Sequence, residues 1–195
     1  MELASLTTSS TKQNEINEED SKIPLINNMD NNQYVQKQEK KCSRLLKRFN
    51  EKMEWFKDLH PNEENSIIDF YGIDKKGRKC HIELKERKAN IDSYETILLD
   101  ATKVYGWAKI GMSGATNNEQ RLYFNFMNDG IVIFDMNNQS EMMFYPNHKQ
   151  WNPAKNEYEH RDKLGLPLKN AIIFRYTPMG LEREKNERYN KTKQC

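Results

Sequence analysis

Apolar positions change period along the chain and divide it into a polar head, a mixed middle and a charged end. Residues 1–35 are rich in Ser, Thr, Asn, Glu and Lys without an apolar period. This predicts a disordered tail, relieved only by the apolar island Ile23, Leu25 and Ile26. Cys42, Leu45, Leu46, Phe49, Met53 and Phe56 then share one stripe at helical spacing, which predicts a helix over 36–59 that stops at HPNEEN. Two strands follow, 66–73 and 80–86. A second helix is predicted from about Asp92 or Ser93, where Asp92 and Glu95 have capping-box spacing. Ile97, Ala101, Val104, Tyr105 and Ala108 would face the core, and Gly106, Gly111 and Gly114 would weaken and end this helix. Residues 121–127 and 131–136 read as strands joined by the turn Asn128-Asp129-Gly130. A short strand at 141–146, a long polar loop over 147–169, a strand at 170–176 and a charged tail over 181–195 complete the reading. The expectation is one α/β domain over 36–180, with a single mixed β-sheet flanked by helices.

Composition changes this picture little. Hydrophobic residues are 36% and charged residues 31% of the chain, the balance expected when an ordinary domain is diluted by a polar tail. A net charge of +2 gives no global attraction to nucleic acid, so any basic surface must be local. Cys42, Cys80 and Cys195 are odd in number and widely spaced, without CxxC, which supports neither a disulfide framework nor a zinc site. The start lacks a basic head with an apolar run, and no transmembrane run is present, so the expectation is an intracellular, cytoplasmic protein with no membrane partner. The histidines lack HxxxH or HExxH spacing, and Gly111–Gly114 lacks the Lys-Ser/Thr of a phosphate loop. No nucleophile elbow surrounds a Ser or Cys.

The chemistry concentrates in DFYGIDKKGRKCHIELKER, residues 69–87. Lys75-Lys76-Gly77 suits a three-residue hairpin loop with Gly at the left-handed position, flanked by Asp74 and Arg78 as a pair. Counting back from that turn sets Asp69 opposite Glu83, and Lys85 shares their face. Ile68, Phe70, Ile82 and Leu84 point to the other, apolar face. Two opposed carboxylates destabilise a sheet unless something offsets them. Lys85 offsets part, and a divalent cation would do so better. The alternative is a solvated, salt-bridged strand face.

At these residues the sequence resembles the PD-(D/E)XK nuclease superfamily, the restriction-endonuclease-like fold, whose pattern is an acidic residue on one strand and (D/E)-x-K on the next. Asp69, Glu83 and Lys85 match in turn, and the element order over about 40–136 follows the α-β-β-α-β core. IDFYG…IELKER followed by YETILLDATKVYGWAKI is similar to small nuclease-like proteins of phages and large DNA viruses. The resemblance implies Mg²⁺- or Mn²⁺-dependent hydrolysis of DNA phosphodiester bonds. Asp69 and Glu83 would hold metal with the Leu84 carbonyl, and Lys85 would be the catalytic lysine. The Pro of the motif name is absent, since Ile68 precedes Asp69, and an early core strand is hard to find before Ser66. Many members add a Glu from the first helix. Glu54 and then Glu51 are the positional candidates, both away from the apolar stripe.

Arg87, just past Lys85, is a candidate phosphate ligand or a plain surface arginine. His81 could touch a metal-bound water or be an ordinary surface histidine. Lys103 and Trp107 are expected on the exposed side of the second helix with Thr96 and Asp100, meeting a nucleic-acid backbone and a base or simply solvent. The loop NHKQWNPAKNEYEHRDK interleaves basic and aromatic side chains and could clamp substrate or pack Trp151 on the core. The leading expectation is a DNA nuclease. RNA as substrate and a homodimer remain open. The rival is the same fold without catalysis, a binding or structural module, virion-associated for example.

Overall fold

The computed structural model describes residues 31–63, 66, 68–112, 119–152 and 155–184. In chain order these form α1 (Asn31–Met53), β1 (Phe56–Pro61), β2 (Phe70–Asp74), β3 (Lys79–Glu86), β4 (Thr96–Asp100), α2 (Ala101–Met112), β5 (Gln120–Phe126), β6 (Gly130–Asp135), β7 (Met143–Asn152), β8 (Glu157–Pro167), β9 (Ile172–Thr177) and β10 (Gly180–Arg183). A seven-stranded sheet has the order β1-β2-β3-β5-β6-β9-β10, and a three-stranded sheet the order β4-β8-β7. In the large sheet β3 and β5 run parallel and every other pair is antiparallel. The mixed α/β class expected from the sequence is what is seen, with a smaller sheet added to the large one.

Alternation along the strands builds two cores. Phe70, Ile82, Leu84, Leu122, Phe124, Ile131, Ile133 and Phe174 point to the face covered by α1, through Cys42, Leu46 and Phe49. Tyr123, Val132, Phe134 and Ile173 point to the opposite face, where Ile97 and Leu99 of β4, Trp107 of α2 and Leu166 of β8 cover them. Gly130 lets two strands approach closely, because a Cβ there would lie 2.1 Å from the Phe174 carbonyl oxygen.

Several predicted boundaries move. The first helix starts five residues earlier than expected, at Asn31, and stops at Met53. Glu54 turns left-handed at φ 46°, and the Asn50 side chain accepts from Phe56 N–H at 2.7 Å and donates to its carbonyl at 3.1 Å. Phe56 therefore opens β1, the early strand that helical spacing had concealed. The strand expected at 66–73 is confined to Phe70–Asp74, and Ile67 lies outside the described residues. Ile68 joins the α2-side core instead of the α1 side. The helix expected from Asp92 or Ser93 is a single 3-10 turn, then β4, then α2. Residues 147–169, expected as loop, form most of β7 and β8. Leu181–Arg183 extend β10 rather than a tail. The tail expected at 1–35 lies outside the described residues up to residue 30, as do 185–195.

The chain crosses repeatedly between the sheets. β1–β3 belong to the large sheet, β4 to the small one, β5 and β6 to the large, β7 and β8 to the small, β9 and β10 to the large. Among the described residues, no helix is long and apolar enough to cross a membrane.

Candidate active site

The β2–β3 hairpin aligns the central side chains. Its turn is closed by Gly77 at φ 80°, where a side chain would be strained. Asp74 accepts from the N–H groups of Lys76 and Arg78, each at 2.8 Å, and from Arg78 Nε at 2.7 Å. Burial opposes ionised Asp74, but these bonds and the Arg78 charge outweigh it and leave its pKa below the ordinary value. The turn fixes the pairing Ile73↔Lys79 through Phe70↔Ile82, the register that the turn chemistry predicts, and the observed ladder stops one residue short of Asp69.

Asp69 sits just ahead of β2. Asn62 holds it there: its N–H donates to the Asp69 carbonyl at 2.9 Å and its side chain to the Ile68 carbonyl at 2.9 Å. Asp69 Oδ2 accepts from Leu84 N–H at 2.7 Å. Backbone groups alternate between the two edges of a strand, and Arg87 N–H donates to Phe126 on the β5 side. By that alternation Leu84 turns its N–H and carbonyl to the opposite edge, where β2 has ended.

Glu83 is 7% exposed. Desolvation and the neighbouring Asp69 charge push its pKa up to about 8, against the pull of Lys103. Asp69 is also raised by desolvation, which Lys103 and the Leu84 N–H oppose. Glu83 favours ionised Asp69, while the Asp69 charge disfavours ionised Glu83. Lys103 Nζ, from the first turn of α2, lies 2.8 Å from Glu83 Oε2. Lys103 thus stands among the site residues, inward of the exposed face expected for it.

Lys85 is exposed, and Glu83, Arg87, Asp100 and Lys163 lie close enough for their charges to act on it. Partial desolvation lowers its pKa first, and Arg87 and Lys163 lower it further, while Asp100 and Glu83 pull the other way. Asp100 pairs with Lys163, its cross-strand partner, and lies 3.8 Å from Arg161 Nη1. Sequence reasoning did not bring Asp100, Arg161 and Lys163 to this place, because it treated β4 as helix and β8 as loop. The alternation around Leu164-Gly165-Leu166 was the available signal.

Two candidates are corrected. Trp107 is 2% exposed and packed in the α2-side core, so it meets no base from an exposed helix face. Starting α2 at Ala101 rather than near residue 93 exchanges its faces, and Tyr105 points outward instead. Arg87 is not a plain surface arginine. Its Nε donates to Asn125 Oδ1 at 2.8 Å, and its Nη2 to Tyr123 Oη at 2.9 Å and to the Leu98 carbonyl. It ties β3 and β5 to β4.

His81 pairs with Glu119 at 2.8 Å rather than facing the carboxylates. Glu54 pairs with Lys75 at 3.2 Å, at the turn end of the hairpin and away from Asp69. On the α1 side Glu86 pairs with Lys41. Among the described residues no group of three or more His, Cys, Asp or Glu side chains gathers in metal-holding geometry.

No known protein family and no curated protein matches the chain. Among solved structures it is similar to Hjc, a Holliday junction resolvase from the archaeal hyperthermophile Archaeoglobus fulgidus. That match has 11% sequence identity and a TM-score of 0.34, and covers 69% of this chain and 87% of that one. At that score the likeness says nothing about individual residues.

Proposed function

We propose that the chain is a metal-dependent nuclease that hydrolyses phosphodiester bonds of DNA at Asp69, Glu83 and Lys85. The observation that carries this reading is the contact of two largely buried carboxyls, Asp69 and Glu83, with an exposed lysine of lowered pKa two residues along the same strand. Mg²⁺ characteristically binds through one or two carboxylates and completes its shell with water and substrate phosphate. Two carboxylates and one carbonyl fit that demand. Mg²⁺ or Mn²⁺ held there would supply charge stabilisation at a phosphoryl oxygen and acidify water.

The chain's own residues do the rest. Asp69 is oriented by the Leu84 N–H, and Glu83 gives up its proton when the pair takes up a cation. The Lys85 amine positions the attacking water and faces the charge that develops on the phosphate. Its lowered pKa brings it nearer to accepting a proton at neutral pH. Asn125, opposite Lys85 in the β3–β5 ladder, and Arg87 hold the strand beneath that amine.

The Lys103–Glu83 pair favours a second reading, a non-catalytic binding or structural module in which Lys103 permanently neutralises the carboxylates. Cleavage of single- and double-stranded DNA with Mg²⁺ or Mn²⁺ separates the two, assayed beside Glu83→Ala. Metal-dependent cleavage that the substitution abolishes supports the nuclease. Absence of both cleavage and calorimetric metal binding leaves the module.

A further inference from the structure

β4 ends at the Asp100↔Lys163 pair, and beyond it only β7 and β8 remain joined, from His148↔Arg161 to Asn152↔Glu157. A two-stranded ribbon is marginal in water by its own burial. Strand alternation separates its chemistry by face. His148, Gln150, Asn152, Glu157, Glu159 and Arg161 share one face, and its acid is internally paired: Glu159 lies 2.8 Å from Arg161 Nε and 2.9 Å from Gln150 Nε2.

The other face carries Lys149, Trp151, Tyr158 and His160, all exposed. Trp151 and Tyr158 are cross-strand partners with ring centroids 5.1 Å apart, and Lys149 Nζ stands 4.4 Å from the centre of the Tyr158 ring. Tyr158 is nevertheless 61% exposed and Trp151 38%. Asp162, the acid next along this face, directs its carboxylate to the Asn147 N–H at 2.9 Å.

We infer that this ribbon face binds single-stranded nucleic acid, with Trp151 and Tyr158 stacking on bases and Lys149 meeting phosphates. Exposed rings beside a lysine, with the neighbouring acid Asp162 turned to a backbone N–H, complement a chain that presents bases and phosphates together. A duplex hides the faces of its bases and offers only the second half of that match. The binding does not rest on the nuclease reading.

The test uses the full chain in EDTA, so that cleavage cannot intervene. Fluorescence anisotropy measures binding of a labelled oligothymidylate and of a labelled duplex of equal length. Trp151→Ala, Tyr158→Ala and Lys149→Glu are compared with the unsubstituted chain. The single strand is expected to bind more tightly than the duplex. Each aromatic substitution should weaken it by about tenfold, and Lys149→Glu should weaken it and flatten its salt dependence. As a check without a folding question, oligothymidylate should quench tryptophan emission in the unsubstituted chain and fail to do so in Trp151→Phe. Equal or tighter duplex binding, or ribbon variants that bind as the parent does, overturns the inference. Ribbon-dependent binding in a protein that cleaves nothing with metal would retain this inference and remove the nuclease. Metal-dependent cleavage with binding indifferent to the ribbon would do the reverse.

Discussion

Lys103 Nζ stands 2.8 Å from Glu83 Oε2, so the carboxylate pair of one hairpin takes its counter-charge from α2. A divalent cation must compete with that ammonium for the same oxygen. Lys103→Met is expected to raise Mn²⁺ affinity, by about tenfold for one nearby charge removed. Titration calorimetry reads this directly. Weaker binding in the variant would make Lys103 an organiser of the donors instead of their competitor.

The pH dependence of stability follows from Glu83. Its folded pKa of about 8 lies above the ordinary 4.5, so the folded state holds the extra proton between those values. Its contribution is fully present below the unfolded pKa and is lost as pH rises through the folded one. In EDTA, Tm is expected to fall by several degrees, on the order of 5 °C, between pH 5 and pH 8.5. Glu83→Gln should flatten that fall. With Mg²⁺ present the trend should weaken, because binding displaces the same proton and strengthens as pH rises. Thermal melts at matched ionic strength check all three.

Lys85 is exposed and its removal leaves no buried partner stranded. Lys85→Ala is expected to keep Tm within about 2 °C and to lower metal-dependent cleavage by roughly 10²-fold or more. A large loss of stability would show that the lysine is a structural ion-pair partner.

Arg87 and Trp107 should behave oppositely to Lys85. Arg87→Ala removes the partner of Asn125 Oδ1 and leaves Tyr123 Oη and the Leu98 carbonyl only the 3.2 Å hydrogen bond between them. A loss of about 3 kcal/mol is expected, measured by urea denaturation. Arg87→Lys should recover little, since an ammonium cannot span the same fork. Trp107→Ala should cost about 3–5 kcal/mol through the cavity it opens. A stable Trp107→Ala variant with weakened DNA binding would return that side chain to the surface.

The central hairpin was legible because its information is local. Lys75-Lys76-Gly77 fixes the turn, and the turn fixes the register from Ile73↔Lys79 to Phe70↔Ile82, next to Asp69 and Glu83. Phe56 was not legible, since it continues the helical stripe of Phe49 and Met53 while also beginning a strand; Asn50 decides between them from the preceding helix. β4 was hidden for a different reason. Thr96–Asp100 becomes a strand because β8, far downstream, supplies its hydrogen bonds, and no pattern within five residues announces that. The start of α2 moved with it, which turned Trp107 inward and Lys103 toward Glu83. The ribbon escaped notice because its paired part is polar on one face and exposed on both, so it lacks the apolar alternation that marks a half-buried strand.

The alternation of the chain between its two sheets has a mechanical consequence. Neither layer is a contiguous piece of sequence, so neither can detach with its own strands while the other stays whole. Pulling β4 from β8 releases the crossover that places β3 beside β5. The body of the molecule should therefore come apart in one all-or-none step, and limited proteolysis should find no stable half. The outer reach of β7 and β8 lies beyond this weave. It can bend, fray or be nicked without loosening the rest.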